Sequence, residues 1–221
     1  MSSRPGHSHE VAGFTEVFAR ALQGHPCHVL DLEAGEPGRL LPVADWTRGA
    51  NEHDEVLLRH CEGPVLDIGC GPGRLAERLA HLGHLVLGID IVPEAVAQTV
   101  ERGASAIRRN VFDALPGEGR WRTALLADGN VGIGGDPAAL LRRVREVLDP
   151  RGRVVVELAA PGTGLSRSRA VLTCDGRRTR PFDWAVVGLD VAPELACRVG
   201  LRVTSTGSTG ERWFAVLEEA A

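Results

Sequence analysis

The sequence predicts an α/β fold in which a doubly wound, mostly parallel sheet of about seven strands carries helices on both faces. Between residues 65 and 159, short apolar runs alternate regularly with segments of helical periodicity. This alternation is typical of parallel strands joined by crossover helices. Near the end of the chain, LRVTST and ERWFAVLEE are separated only by residues 207–210. That connection is too short for a parallel crossover, so the last strand is predicted to run antiparallel.

Size and composition favour one ordinary globular unit. The chain has 221 residues, enough for one well-buried core, and a net charge of −4, which opposes a nucleic-acid partner. No apolar run is long enough to span a membrane, and the N-terminus lacks the apolar core of a signal peptide. The five cysteines form no CxxC pair, so we expect reduced thiols and a cytoplasmic location.

The first fifty residues are predicted to form a cap of helical and extended pieces, ahead of a second region at residues 51–221. Residues 11–22 have helical periodicity, and two short strands are expected near residues 28–32 and 39–43. A helix is expected after Asn51, which has the side chain of an N-cap and is followed by acidic residues.

Within residues 51–221, one segment departs from the strand–helix alternation. CDGR lies between two extended halves, so Arg167–Thr173 and Arg177–Phe182 are predicted to form a hairpin inside an insertion at about 160–190. The predicted strands are 65–68, 84–90, 105–111, 122–129 and 153–159, and the predicted helices begin near 74, 93, 138 and 190.

The stretch Val65–Gly73, VLDIGCGPG, is the candidate ligand site. Its alternating glycines let the backbone turn sharply and let a ligand approach closely, and the first N–H groups of the next helix point into the turn. A dinucleotide fingerprint reads GxGxxG, whereas here the spacing is GxGxG and Arg74 follows. Asp67 precedes the glycines, and Asp90 ends the next strand, where a carboxylate can accept both ribose hydroxyls. A ligand with a ribose and no phosphates fits this pattern best.

VLDIGCGPG, the following GID and the reversed last strand together resemble a class I S-adenosylmethionine-dependent methyltransferase of the bacterial small-molecule type. The likeness covers roughly Glu52–Leu158 by motif and the tail by topology. It implies a Rossmann-like sheet and S-adenosyl-L-methionine as cofactor, with the methionine part over the glycine loop and the ribose on Asp90. Adenine contact is implied at Asn110, although an acidic residue is frequent there and Asp113 could substitute. The implied cofactor-binding residues are Asp67, Gly69, Cys70, Gly71, Gly73, Asp90, Ile91, Asn110, Val111, Asp128, Gly129 and Asn130.

Simpler interpretations stand beside these roles. Asp67 could cap the glycine turn, Asn110 could be a turn residue, and Cys70 could be a small filler. His25, Cys27 and His28 are close in sequence, but no further ligands follow at matching spacing, so no metal site is predicted.

The predicted activity is methyl transfer to a small-molecule acceptor by in-line displacement, in a monomer or homodimer without a nucleic-acid or membrane partner. Position and desolvation supply most of the catalysis, and a base is needed only for an acceptor whose proton has a high pKa. Asp128 and His53 are the candidate bases. The cap and the insertion are expected to cover the substrate with apolar rings, namely those of Phe14, Phe18, Trp46, Phe182 and Trp184.

Three alternatives remain at this stage. A nicotinamide-dependent oxidoreductase could use a similar sheet, and a cofactor-binding protein of the same fold could catalyse another reaction or only bind a partner. A nucleic-acid methyltransferase is the third, but the Asn/Asp-Pro-Pro-aromatic signature expected after the fourth strand is replaced here by DGNV.

Overall fold

The computed structural model describes residues 10–34 and 37–220, so the first nine residues of the predicted cap lie outside the described part. The strands are β1 (Glu10–Ala12), β2 (Cys27–Asp31), β3 (Arg39–Leu40), β4 (Val65–Ile68), β5 (Val86–Asp90), β6 (Ala106–Arg108), β7 (Trp121–Leu126), β8 (Leu148–Leu158), β9 (Leu165–Cys174), β10 (Arg177–Thr179), β11 (Phe182–Val187), β12 (Leu201–Thr209) and β13 (Arg212–Glu219). The helices are α1 (Phe14–Leu22), α2 (Val43–Thr47), α3 (Glu52–Leu58), α4 (Arg74–His81), α5 (Pro93–Glu101), α6 (Pro137–Val147) and α7 (Ala192–Arg198).

The main sheet has seven strands in the order β12-β13-β8-β7-β4-β5-β6. The run from β8 to β6 is parallel, and β13 is antiparallel to both of its neighbours. The predicted fold class, including the reversed last strand, is therefore confirmed.

Both faces of this sheet are buried, which explains the continuous apolar runs of its strands. Leu66, Leu126 and Val156 belong to the core on one face. Val65 and Val155 belong to the core on the other face. Since successive side chains of a strand point to opposite faces, a strand covered on both sides must be apolar throughout.

A second sheet covers one edge of the first. Its order is β1-β10-β9-β2-β3, and β11 pairs with β9 as well. Strands β1 to β3 come from the N-terminal region and β9 to β11 from the insertion, so the two segments that the sequence analysis treated separately form one sheet. We call this sheet, together with α1 and α2, the cap sheet layer.

The expectation that all five cysteines are reduced is wrong for one pair. Cys27 on β2 lies directly opposite Cys174 on β9, with 4.4 Å between their Cα atoms, and the two form a disulfide. They are separated by 147 residues in sequence, so spacing alone gave no sign of the bond. Next to it, the Asp175 carboxylate forms an ion pair with Arg20 at 3.1 Å and lies 2.7 Å from the His25 Nδ1 atom. The insertion is thus tied to the end of α1.

Local signals placed several elements correctly. The Asn51 side chain accepts hydrogen bonds from the backbone N–H groups of His53 and Asp54, and the Asp54 side chain accepts one in return, which completes a capping box. Asp175 and Gly176 both have positive φ, 48° and 74°, as the predicted two-residue hairpin turn requires.

Several predicted boundaries are wrong, among them the end of the strand predicted at 105–111, which forms only as β6, and two have a clear structural reason. α1 begins at Phe14 rather than Val11, because residues 10–12 pair with β10 as β1. β8 begins at Leu148 and includes the sequence DPRG, which the sequence analysis took for a turn. The register with β7 shifts at this point, so the segment follows the sheet through an irregularity.

No helix within the described residues is both long and apolar enough to cross a membrane.

Candidate functional site

A cavity of about 980 Å³ lies between the carboxyl ends of β4, β5, β7 and β8 and the cap sheet layer. This is the edge at which open α/β sheets bind ligands. One wall comes from the main sheet and its loops, and the other comes from the two sequence segments that build the cap. The cavity brings together eight of the predicted cofactor-binding residues, namely Asp67, Gly69, Cys70, Gly71, Asp90, Asp128, Gly129 and Asn130.

The three glycines of the loop after β4 all have positive φ but serve different purposes. A Cβ atom on Gly69 would lie 2.7 Å from the Asn130 Nδ2 atom, and one on Gly73 would lie 2.7 Å from the Thr99 Cα atom. A Cβ atom on Gly71 would meet nothing within 4 Å. Gly69 and Gly73 therefore allow close packing, whereas Gly71 leaves space on the cavity side of the loop.

Asn130 holds the start of this loop in place. Its side-chain amide donates hydrogen bonds of 2.9 Å to the carbonyl oxygens of Ile68 and Gly69. Asn130, in the loop after β7, thereby fixes the loop after β4, so the positions of the two loops are coupled.

Asp90 at the end of β5 is a preorganised acceptor. Its Oδ2 atom accepts from the Gly71 backbone N–H at 3.1 Å, and its Oδ1 atom accepts from the Val92 N–H at 2.8 Å. Burial raises the pKa of Asp90, and these backbone hydrogen bonds act in the opposite direction. A carboxylate oxygen can accept more than one hydrogen bond, so both oxygens retain capacity for a ligand.

Asp67 lies at the floor of the cavity with one buried oxygen unpaired among the described residues. The residue is 2% exposed, and its Oδ2 atom has no hydrogen-bond partner within residues 10–34 and 37–220. Burial, followed by the charge of Asp128, raises the pKa of Asp67 to about 7. A buried polar atom without a partner is costly and marks a place where a ligand could supply the missing donor.

A buried ionic network supports the floor of the cavity, with Asp54 at its centre. This fully buried carboxylate pairs with Arg74, with Arg212 at 2.6 Å and with Arg48 at 2.7 Å. Burial alone would raise the pKa of Asp54, but hydrogen bonds from Arg74 and Arg212 outweigh it and hold that pKa far below its ordinary value. Asp54 therefore stays ionised and holds Arg48, Arg74 and Arg212 at the cavity wall.

Arg74 and Arg212 in turn hold Asp128, which follows β7. The Arg74 Nη2 atom lies 2.6 Å from the Asp128 Oδ2 atom, and the Arg212 Nη2 atom lies 3.5 Å from Oδ1. Arg212 also donates two parallel hydrogen bonds, of 2.7 and 2.6 Å, to Glu157, which accepts from the Asp128 backbone N–H at 2.9 Å. Asp128 is thus fixed from several sides, with a φ of 51° that few residues other than glycine adopt.

Asp128 has the properties of a proton acceptor at the cavity wall. About a third of its side chain is exposed, and that part faces the cavity. Burial raises the pKa of Asp128, with Arg74 opposing the rise and Glu157 adding to it. A raised carboxylate pKa increases its basicity.

Most residues of this network were not predicted from the sequence. Glu157 interrupts the apolar run VVVELA, and a charge in a buried strand is a usable signal. Asp54 gave none, because its position in the first turn of α3 suggested only a helix cap. Arg212 lies near the chain end, where nothing in sequence links it to Asp54.

The opposite wall of the cavity is aromatic. The ring centroids of Phe14 and Phe18 are 5.6 Å apart, those of Phe18 and Trp46 are 5.7 Å apart, and Phe182 meets Phe14 edge-on at 5.0 Å. Trp184 also lines the cavity. All five rings that the sequence analysis named as substrate cover therefore lie at the site.

Some predicted residues lie elsewhere. The His53 Nδ1 atom lies 2.7 Å from the Thr209 Oγ1 atom, at the hairpin between β12 and β13, so His53 does not line the cavity. Asn110 is exposed, and its side chain accepts from the Phe112 N–H in a local turn. Val111 is 4% exposed within the core, and Ile91 is 40% exposed at the surface. Gly73 packs behind the loop.

No group of three or more His, Cys, Asp or Glu side chains within residues 10–34 and 37–220 is arranged to hold a metal ion.

Comparisons with known proteins agree with this geometry. Residues 65–152 match a family model described as a methyltransferase domain. A ubiquinone biosynthesis O-methyltransferase of Azorhizobium caulinodans is 34% identical over 131 residues, covering 57% of this chain and 52% of the relative. One of Cereibacter sphaeroides is 35% identical over 156 residues, covering 66% and 61%. The chain thus spans between about half and three fifths of the length of these curated relatives.

Solved structures show the same fold. A SAM-dependent methyltransferase from Bacteroides fragilis, in complex with S-adenosyl-L-homocysteine, superimposes with a TM-score of 0.79 at 21% identity and covers 100% of this chain and 98% of that one. The 1,6-didemethyltoxoflavin-N1-methyltransferase of Burkholderia thailandensis has a TM-score of 0.58 at 18% identity and covers 80% and 81%. At these identities the likeness concerns the fold.

The buried carboxyl of Asp67 gives a first testable prediction. We expect Asp67→Asn to raise the free energy of unfolding of the ligand-free protein more at pH 8 than at pH 5. The pKa of Asp67 is about 7 when folded, against an ordinary 3.8. Between these values the folded state keeps a proton that the unfolded state loses, so wild-type stability falls as the pH rises. At about 1.4 kcal/mol per unit, the gain should grow by roughly 2–3 kcal/mol from pH 5 to pH 8.

Urea unfolding at the two pH values measures this difference. Glu194→Gln, which changes an exposed carboxylate on α7, is the matched control and should show no such growth. An equal gain at both pH values for Asp67→Asn would contradict the raised pKa.

Proposed function

We propose the function of this chain from its membership of the class I S-adenosylmethionine-dependent methyltransferase family. It transfers the methyl group of S-adenosylmethionine to a small-molecule acceptor. The observation that carries this proposal is a single cavity that joins the glycine loop and Asp90 on one wall to an aromatic cap on the other.

The residues of the main-sheet wall fit the cofactor. Asp90 presents two anchored carboxylate oxygens, which suit the two hydroxyls of a ribose. Gly71 leaves space beside the loop, and Asp67 offers an unpaired buried oxygen to a hydrogen-bond donor of the methionine part. Gly69, Cys70, Gly129 and Asn130 complete this wall. Adenine contacts at Ile91, Asn110 and Val111 remain a proposal from the family resemblance.

When bound, S-adenosylmethionine supplies a sulfonium methyl group, and the electron pair of the broken S–CH3 bond goes to sulfur as the acceptor forms its bond to carbon. The protein positions the acceptor and excludes water, which can contribute about 7–11 kcal/mol to lowering the barrier. Asp128 is the residue placed to take the proton of an acceptor that loses one, because it lines the cavity and its carboxylate is held by Arg74 and Arg212.

The cap sheet layer forms the side of the cavity that we assign to the methyl acceptor. At about 980 Å³ the cavity lies at the upper end of the range of about 300–1,000 Å³ that is common for ligand pockets. Two similar proteins carry the names of small molecules: one is named for ubiquinone biosynthesis and the other for 1,6-didemethyltoxoflavin. Residues 1–50 and the insertion at 160–190 thus act as substrate cover, and residues 51–221 carry the methyltransferase domain.

Titration calorimetry tests the cofactor assignment directly. We expect the protein to bind S-adenosylhomocysteine and not NADH, because the loop has the GxGxG spacing in place of the GxGxxG spacing of dinucleotide sites. Incubating host extract with methyl-labelled S-adenosylmethionine should then transfer label to a small molecule, detected by mass spectrometry. Binding of NADH alone would replace this proposal by an oxidoreductase. Cofactor binding without any labelled product would favour a role other than methyl transfer.

Substitution of Asp90 tests the ribose contact. We expect Asp90→Ala to weaken S-adenosylhomocysteine binding on the order of 10- to 100-fold, because hydrogen bonds to a charged acceptor contribute about 1.5–3 kcal/mol each. Circular dichroism should show the fold intact. Asp183→Ala, an exposed carboxylate outside the cavity, should keep wild-type affinity. Unchanged affinity of Asp90→Ala would refute the ribose role.

Two glycines with positive φ test the loop. Gly71 and Gly83 have φ of 54° and 89°, and a Cβ atom on either would meet nothing within 4 Å. Alanine should therefore cause backbone strain without a steric clash at both positions, on the order of 1–2 kcal/mol by thermal or urea unfolding. Only Gly71→Ala places a methyl group beside the cavity, so only this variant should lose S-adenosylhomocysteine affinity. Equal affinities of the two variants would mean that no ligand approaches Gly71.

A further inference from the structure

We infer that the acceptor is a flat aromatic molecule that carries no anionic group. This inference rests on the proposed function, since it describes the second ligand of the same cavity. It is drawn from the shape of the cap wall and from the pairing of the charges around it.

The cap wall has the shape of a slot with aromatic sides. On β11, Phe182 and Trp184 point to the cavity, and directly opposite them on β9 are Ala170 and Ser168. Two large rings beside two small side chains leave a flat recess on the sheet face. A planar ring can lie there against aromatic side chains, whereas a puckered ring of the same size makes poorer contact.

Helices α1 and α2 close the slot with more aromatic surface. Phe18 stacks between Phe14 and Trp46, with 20° between the planes in each pair, and Phe14 meets Phe182 edge-on. These side chains are only partly buried, and all of them line the cavity. Several rings held in fixed positions form a preorganised surface for another ring.

The charges of the cavity oppose an anionic acceptor. Three arginines of its wall, Arg48, Arg74 and Arg212, are already paired with the carboxylates of Asp54, Asp128 and Glu157. An anion would have to compete with these pairs for any of the three guanidinium groups. Among the described residues, the cavity wall contains one further arginine, Arg39, together with the carboxylates of Asp31, Asp45 and Asp90 and the carboxyl of Asp67, whose pKa is raised to about 7. Even without Asp67 these carboxylates outnumber Arg39, so the surplus is negative and a neutral or cationic ring is favoured over a carboxylate or phosphate.

Three bicyclic probes of similar size separate these features. The full chain, saturated with S-adenosylhomocysteine, is titrated by calorimetry with 2-naphthol, 2-naphthoate and decahydro-2-naphthol. We expect 2-naphthol to bind at least tenfold more tightly than 2-naphthoate, which is anionic, and than decahydro-2-naphthol, which is not flat. Similar affinities for 2-naphthol and either of the other probes would overturn the inference, as would the absence of 2-naphthol binding.

Two tryptophan variants test whether 2-naphthol binds in the slot. Trp184→Leu and Trp46→Leu each remove aromatic surface, and we expect each to weaken 2-naphthol binding at least fivefold while S-adenosylhomocysteine binding stays within twofold. Phe112→Leu is the control, because Phe112 is 44% exposed and outside the cavity. If Trp184→Leu fails to fold, Trp46→Leu decides the question. Unchanged 2-naphthol affinity in the folded variants would overturn the inference.

The titrations also separate this inference from the proposed function. Failure of the wild-type chain to bind S-adenosylhomocysteine contradicts the proposed function. Binding of S-adenosylhomocysteine with no preference for 2-naphthol contradicts only the assignment of the acceptor.

Discussion

The buried carboxylate of Asp54 is the interaction on which the site depends. Arg74 and Arg212 approach the same carboxylate from α4 and β13, and both continue to Asp128. Without Asp54, two nearly buried guanidinium groups would face each other with too little negative charge between them. Removing one partner of a buried ion pair typically costs about 3–5 kcal/mol, because it leaves an uncompensated charge. The position of Asp128, and with it the floor of the cavity, therefore follows from a residue that touches no ligand.

The same carboxylate joins the cap sheet layer to the main sheet. Arg48, just after α2, pairs with Asp54 at 2.7 Å. On the other side of the cavity, Leu22 of α1 packs with Val92 and Ala95 at the start of α5, beside Asp90. The disulfide between β2 and β9 binds the two halves of the cap to each other. Both walls of the cavity are thus held in one geometry, and a reaction that depends mainly on position benefits from such rigidity.

Short-range patterns predicted the main sheet well, because β4, β5 and β7 are each followed in sequence by a helix that packs on the sheet. The glycine spacing and Asp90 predicted the cofactor wall for the same reason, since a strand, its turn and the next helix are contiguous. The cap sheet could not be predicted in this way. Its central pairing joins β2 to β9, with Cys27 opposite Cys174 across 147 residues, and no local periodicity records such a contact. The network around Asp54 was missed for the same reason, because Arg212 lies 158 residues away in sequence.

Local hydrogen bonds explain why some predicted site residues lie outside the cavity. Asn110 follows β6, where the family resemblance implies adenine contact, yet its side chain bonds to the Phe112 N–H two residues later. Asparagine satisfies local backbone groups readily, so a local turn competes with any ligand for the same side chain. Asp90 differs in its place, because two backbone N–H groups hold its carboxylate at the cavity wall. Asn110 keeps hydrogen-bonding groups of its own but does not line the cavity, and that difference is visible only once the fold is known.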